Sequence, residues 1–188
     1  AVPFITVAVS GLFSFMSDYL NRITGFNFKM ISIALFIYGA ANILGNIMAG
    51  KLLSRNAAGT VKAVPFALAL GYILFFAFGE VSAAMMLIIL GLGILAGIAA
   101  NNNQYMLTEA APEAPDFANG LFLTSTNLGT AVGTAFCGLF ISSMDTRYVV
   151  IGTMVFLLAG MVSVFLRGRA SGRPHSAELG YSIKQQRL

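Results

Sequence analysis

The sequence predicts an all-α, polytopic membrane protein of six transmembrane helices. Three observations lead there. The chain of 188 residues is 57% hydrophobic and only 10% charged, with a mean hydropathy of +0.82, whereas soluble domains carry about 25% charge. The few charges leave six long uncharged stretches: 1–17, 30–50, 63–79, 81–108, 117–144 and 148–166. Each approaches the roughly 20 residues that a helix needs to cross about 30 Å of hydrocarbon, where one charge costs at least about 2.5 kcal/mol. The runs are too long and too uniformly apolar for the alternating strands of a membrane barrel.

Each span follows from a local pattern. The first, over about 2–20, places Ser10, Ser14, Ser17 and Asn21 on one face with Asp18 beside them. The second, 30–53, carries Tyr38, Asn42, Asn46 and Gly50 at four-residue intervals. The fourth, 83–107, repeats that interval with Gly93, Gly97, Asn101 and Tyr105, next to Gln104. The fifth, 117–144, follows the breakers Pro112 and Pro115; Asp116 is expected to cap it and Glu113 to suit its dipole. It sets Ser125, Gly129 and Gly133 beside Thr126, Thr130 and Thr134, with Asn127 nearby. The third and sixth spans, 62–79 and 148–166, have few polar residues and are expected to face lipid on most sides. Residues 167–188 form a basic tail expected to be cytoplasmic and frayed. The chain opens at Ala1 in apolar sequence without a basic leader, and is expected to be cut from something longer.

Lys and Arg set the orientation. The side holding both termini, the loop after the second span and the loop after the fourth carries eight of them, and the other side only Arg22, Lys29 and Arg147. Both ends are therefore expected in the cytoplasm.

Several function classes are excluded. His175 and Cys137 are the only His and Cys, too few for a common zinc site, and no span holds a Ser–His pair. No Gly-rich loop carries a phosphate-binding Lys. No catalytic residue, metal or cofactor is expected, and neither is an enzyme. The net charge of +4 sits in one loop and the tail, which does not suggest nucleic acid. Cys137, among small residues, is expected to be packed and inert.

Amides within hydrocarbon need partners. They serve either as glue between helices, with Gly93-x-x-x-Gly97 and Gly129-x-x-x-Gly133 permitting close approach, or as the lining of a water- or substrate-filled cavity. Ser14, Tyr38, Asn42, Asn46 and Asn127 are the candidate cavity residues, with Phe15 and Phe122 as aromatic contacts. Asn101, Asn102 and Asn103 lie about 27 Å along their span, near the cytoplasmic mouth, where a gate or helix-end role suits them; Asn101 and the adjoining Gln104 are the candidates for a cytoplasmic gate. Asp18 is the one candidate for ion coupling, against a helix-end pairing with Arg22 four residues on.

The segment Gly45-Asn46-Ile47-Met48-Ala49-Gly50-Lys51-Leu52-Leu53-Ser54-Arg55 resembles the end of the eighth helix in major facilitator superfamily efflux proteins. Residues 13–26 resemble their seventh helix. Glu109 to Pro112, Ala118-Asn119-Gly120 and Asn127 to Gly133 resemble their tenth-to-eleventh connection and eleventh helix. The nearest subgroup is the drug and sugar (arabinose-efflux-like) proton antiporters. The resemblance implies the carboxy-terminal six-helix half of a twelve-helix secondary transporter, residing in the inner membrane and exporting a small molecule by alternating access against an amino-terminal half. Ser54 stands where the family motif has an acid, while Arg55 is expected to meet the acidic loop at Glu109 or Asp116. The alternatives are a non-transporting interaction or assembly subunit and a half-size transporter working as a homodimer. The partners expected are lipid, a small-molecule substrate and the amino-terminal half.

Overall fold

The computed structural model describes residues 1–170, with side chains through residue 166. The basic tail expected beyond 166 thus lies outside the described residues, save for a helical backbone to Ala170. Five α-helices and one short turn account for nearly all of the described chain: α1 (Val2–Arg22), α2 (Phe28–Ala77), α3 (Ser82–Ala110), α4 (Pro115–Ser143) and α5 (Val149–Ala170), with a 3-10 turn at Thr146–Tyr148 before the last. Among the described helices, the stretches Val2–Arg22, Phe28–Ala77, Ser82–Ala110 and Thr146–Leu166 are long and apolar enough to cross a membrane. α4 is not among them, because its Asn, Ser, Thr and Gly residues dilute an otherwise apolar run.

The helix ends follow local chemistry. α1 stops ahead of Gly25, whose φ of 73° suits a residue without Cβ. Asn27 caps α2, its side chain accepting from the Met30 amide at 2.9 Å. Ala111 and Ala114, each preceding a proline, leave helical geometry, and that ends α3 and starts α4. Asp116 does not cap α4 as expected. Ala114 occupies that position without a side-chain bond, Pro115 opens the helix and Asp116 falls in its first turn, where its charge still suits the dipole.

α2 is 50 residues long but is not one rod. Asn56 leaves helical geometry (φ −155°, ψ 80°), and its side chain accepts from the Gly59 amide at 2.9 Å, capping the second half of the helix. The chain doubles back there. Ala41 lies against Gly93, and Gly71 lies against Leu92, although a straight helix would hold residues 41 and 71 about 45 Å apart. The expected loop at 54–61 is thus a tight break within helix.

Two parallel pairs organise the bundle. The first half of α2 runs beside α3 at a constant offset: Gly93 lies on Tyr38, Gly97 on Asn42, and Asn101 on Asn46. The two four-residue stripes read from the sequence meet each other. α1 runs beside α4 in the same way, with Gly129 on Thr6, Gly133 on the Val7 backbone, and Cys137 on Gly11. Small residues at these crossings let backbones touch. Cys137 is free and fully buried. The core between the pairs is filled by Leu12, Met16, Tyr19, Leu68, Tyr72, Phe75 and Ile89.

Candidate functional site

One face of the bundle is polar, and it is built from both pairs. On the α1–α4 pair, Ser14 gives its only proton to the Ser10 carbonyl at 2.8 Å, so Thr134 donates to Ser14 at 2.9 Å. One turn away, Thr130 Oγ1 meets Ser10 Oγ at 3.0 Å and the Thr126 carbonyl at 2.9 Å. On the α2–α3 pair, Asn101 donates to Asn46 at 2.6 Å, and Asn46 donates to Asn42 at 3.3 Å. A hydroxyl ladder thus lies on one seam and an amide ladder on the other.

Two features link the pairs. Phe13 of α1 stacks on Tyr38 of α2 with ring centroids 4.9 Å apart. A cavity of about 110 Å³ opens between α1, α3 and α4, with Thr6, Ser10, Asn103, Phe122 and Thr126 among its lining residues. No carboxylate, Lys or Arg takes part in either ladder or in the cavity wall. The face offers neutral donors and acceptors whose bonds can be exchanged for those of a neutral polar molecule or of water.

The candidate cavity residues divide. Ser14, Asn46 and Asn127 are exposed on this face, and Asn127 makes no side-chain hydrogen bond among the described residues. Asn42 is half-buried. Tyr38 is only 8% exposed, held flat by Phe13, so it forms the floor and not an open contact. Phe122 lines the cavity, while Phe15 is half-buried near Gly138.

The candidate gate residues are scattered. Asn101 belongs to the amide ladder, level with Asn46. Gln104 is exposed on α3, and its carbonyl accepts from Thr108. Tyr105 donates to Glu109 at 3.4 Å. Asp116 is exposed, as is Arg55, which forms no ion pair with Glu109 or Asp116. Asp18 sits at the opposite end. Its Oδ1 accepts from Arg22 Nε at 2.8 Å and its Oδ2 from Thr146 Oγ1 at 2.9 Å, tying α1 to the turn before α5. Beside it Arg147 pairs with Glu80 at 3.2 Å and lies over the Phe76 ring.

Sequence reasoning did not single out Thr6; it set Asn103 at the cytoplasmic mouth and Thr126 on the polar stripe of its span, but placed neither in a cavity. A signal was present: Ala96, Ala99, Ala100 and Asn103 form a small-residue stripe at helical spacing, and that stripe is one wall of the cavity.

The molecule is thus a bundle of long apolar helices, of the kind that crosses membranes, carrying one neutral, hydrogen-bonding face. The chain belongs to the Major Facilitator Superfamily, whose family profile matches residues 2–184. Among similar proteins is the inner membrane transport protein YdhP of Escherichia coli K12, 28% identical over 173 residues, covering 90% of this chain and 43% of that protein. A probable sugar efflux transporter of Helicobacter pylori J99 is 27% identical over 164 residues, 82% of this chain and 41% of its own. The transcription regulatory protein OpdE of Pseudomonas aeruginosa is 25% identical over 160 residues, 85% and 40% respectively. The chain therefore spans about two-fifths of the length of these relatives.

Proposed function

We propose that this chain is the carboxy-terminal six-helix half of a secondary transporter that exports a small neutral or amphipathic molecule across the inner membrane by alternating access. The single observation that carries this reading is the polar face: Ser14, Asn46, Asn127, Thr130 and Thr134 are exposed together on a molecule whose other exposed helical surfaces are largely apolar. Such a face is costly against lipid and favourable against water, cargo or another helical lobe. The fold-back at Asn56 supports counting α2 as two spans, and so six in all. The excess of Lys and Arg near Lys51, Arg55 and Lys62 supports a cytoplasmic location for that end and for both termini. The name of the Helicobacter relative supports a sugar-like cargo. Proton coupling rests on the family resemblance. Asp18, held by Arg22 and Thr146 at the outer end, is better suited to fixing helix ends than to carrying a proton.

Ser14, Asn42, Asn46 and Asn127 then contact cargo, Tyr38 supports the floor, and Arg55, Asn101, Gln104, Glu109 and Asp116 serve the cytoplasmic mouth. The test is transport by the full-length protein in proteoliposomes. The Asn42→Ala/Asn46→Ala double variant should insert and fold but lose about five- to thirtyfold in transport, the cost of one or two hydrogen bonds of about 1 kcal/mol each. Unchanged transport would remove the amides from the cavity assignment.

One observation favours a second reading, a non-transporting membrane component. Asn42, Asn46 and Asn101 are bonded to one another, as amides acting purely as helix glue would be. A cysteine at position 42 that resists a water-soluble thiol reagent in the full-length protein would favour it.

A further inference from the structure

The cavity between α1, α3 and α4 contains oxygen atoms with no partner among the described residues. Thr126 Oγ1 is buried and makes no hydrogen bond, not even the bond to the preceding turn that Thr124 and Thr130 make. Asn103 is 3% exposed, and its Oδ1 is also without a partner. The amide orientation is fixed by its neighbours. Thr6 uses its one hydroxyl proton on the Val2 carbonyl at 3.0 Å, so Thr6 Oγ1 can only accept, and Asn103 must present Nδ2 to it at 3.3 Å. That leaves the carbonyl oxygen of Asn103 as an acceptor in a cavity whose other wall is Thr126.

Left empty, these two groups would forfeit about 1–3 kcal/mol each. The cavity volume, about 110 Å³, exceeds what one water needs and admits a small cluster or one substituent of a larger molecule. The wall carries no charge, so an ammonium or carboxylate would be buried without a counter-ion, at much higher cost. The matching chemistry is an O–H group: it donates to Asn103 Oδ1 and still accepts from Thr126 Oγ1.

We propose that the α1–α3–α4 cavity is a binding site for a neutral hydroxyl group, seated between Asn103 Oδ1 and Thr126 Oγ1. Two sources supply that chemistry, an ordered water or a hydroxyl of the cargo. The site deepens the carrier reading, and rests on it only for the second source.

The test uses the full-length protein in detergent and reads thermal unfolding. Thr126→Val keeps the shape and removes the hydroxyl. With an occupied site, Thr126→Val lowers the Tm by about 2 °C, since a bridged hydrogen bond is lost. With an empty site the same change removes a buried orphan and leaves the Tm unchanged or higher, which overturns the proposal. Glycerol, D-glucose and D-sorbitol at millimolar concentration identify the source. A saturable rise in Tm for the parent that is absent in Asn103→Leu assigns the site to a cargo hydroxyl. No rise, together with the Thr126→Val decrease, assigns it to water. Counterflow in proteoliposomes separates the two claims: a protein that moves neither these polyols nor a cationic dye defeats the carrier reading and leaves the Thr126→Val result standing.

Discussion

α4 and α5 are both long, both lie at the edge of the bundle and both leave much of their surface uncovered, yet they expose different chemistry. α5 presents Ile151, Val155, Leu158, Val162 and Leu166, an unbroken apolar stripe. α4 has three faces. At about 100° per residue, Gly129, Gly133 and Cys137 form the packed face, and Leu121, Leu128, Val132 and Leu139 form an exposed apolar face. Thr124, Asn127, Thr130 and Thr134 form an exposed polar one. A helix in lipid needs only two faces, one packed and one apolar. The third face of α4 is the one that the proposed function assigns to water, cargo or another helical lobe. The same polar face keeps α4 out of the set of helices apolar enough to cross a membrane, to which α5 belongs.

The largest expected effect separates the packing of the two helices. A Cβ on Gly133 would run into the Val7 carbonyl oxygen at 2.6 Å, and backbone has little room to give. Gly133→Ala should therefore destabilise the protein by about 1–3 kcal/mol in detergent unfolding. On α5, a Cβ on Gly152 meets only Phe140 ring atoms at 3.4–3.7 Å, so Gly152→Ala should change stability by less than about 0.5 kcal/mol. Equal losses at the two sites would show that the seams are packed alike.

A smaller effect concerns the polar face itself. Thr134→Val removes a donor that only Ser14 uses. It should leave folding within about 1 kcal/mol while weakening transport by the full-length protein several-fold, as measured by initial rates. Val155→Thr on the lipid side of α5 should leave transport unchanged, and a loss there equal to that of Thr134→Val would erase the distinction between the helices. The smallest effect is expected at Asp18→Asn. Its partner Arg22 is largely exposed, with a side-chain accessibility of 63%, and exposed pairs contribute about 0–1 kcal/mol. Transport lost entirely in Asp18→Asn, with stability intact, would make it the coupling acid instead.

Much of this contrast was legible in the sequence, because the spacing of charges and the four-residue stripes report which faces are apolar. The stripes Tyr38–Asn42–Asn46 and Gly93–Gly97–Asn101 were readable individually. That they pack on each other depends on two helices running parallel, a tertiary fact that periodicity does not encode. Asn101, Asn102 and Asn103 show the limit most clearly. Consecutive residues on a helix point in three directions: Asn101 reaches Asn46, Asn103 reaches Thr6, and Asn102 is fully buried with both polar side-chain atoms unpaired. Their shared place on one helix was readable, and their separate surroundings were not. A break between the second and third spans was expected over 54–61, but its tightness was hidden, because Asn56 both leaves the helix and caps the next turn, so one residue replaces a longer loop.

The central claim is that the exposed polar face of α4 meets water or cargo while the exposed face of α5 meets lipid. Spin labels at Asn127→Cys and Leu158→Cys in the full-length protein, reconstituted in bilayers, test it through collision with a water-soluble nickel chelate and with oxygen. The account predicts that the label at 127 relaxes with the chelate and the label at 158 with oxygen. Oxygen-dominated relaxation at both positions would contradict it.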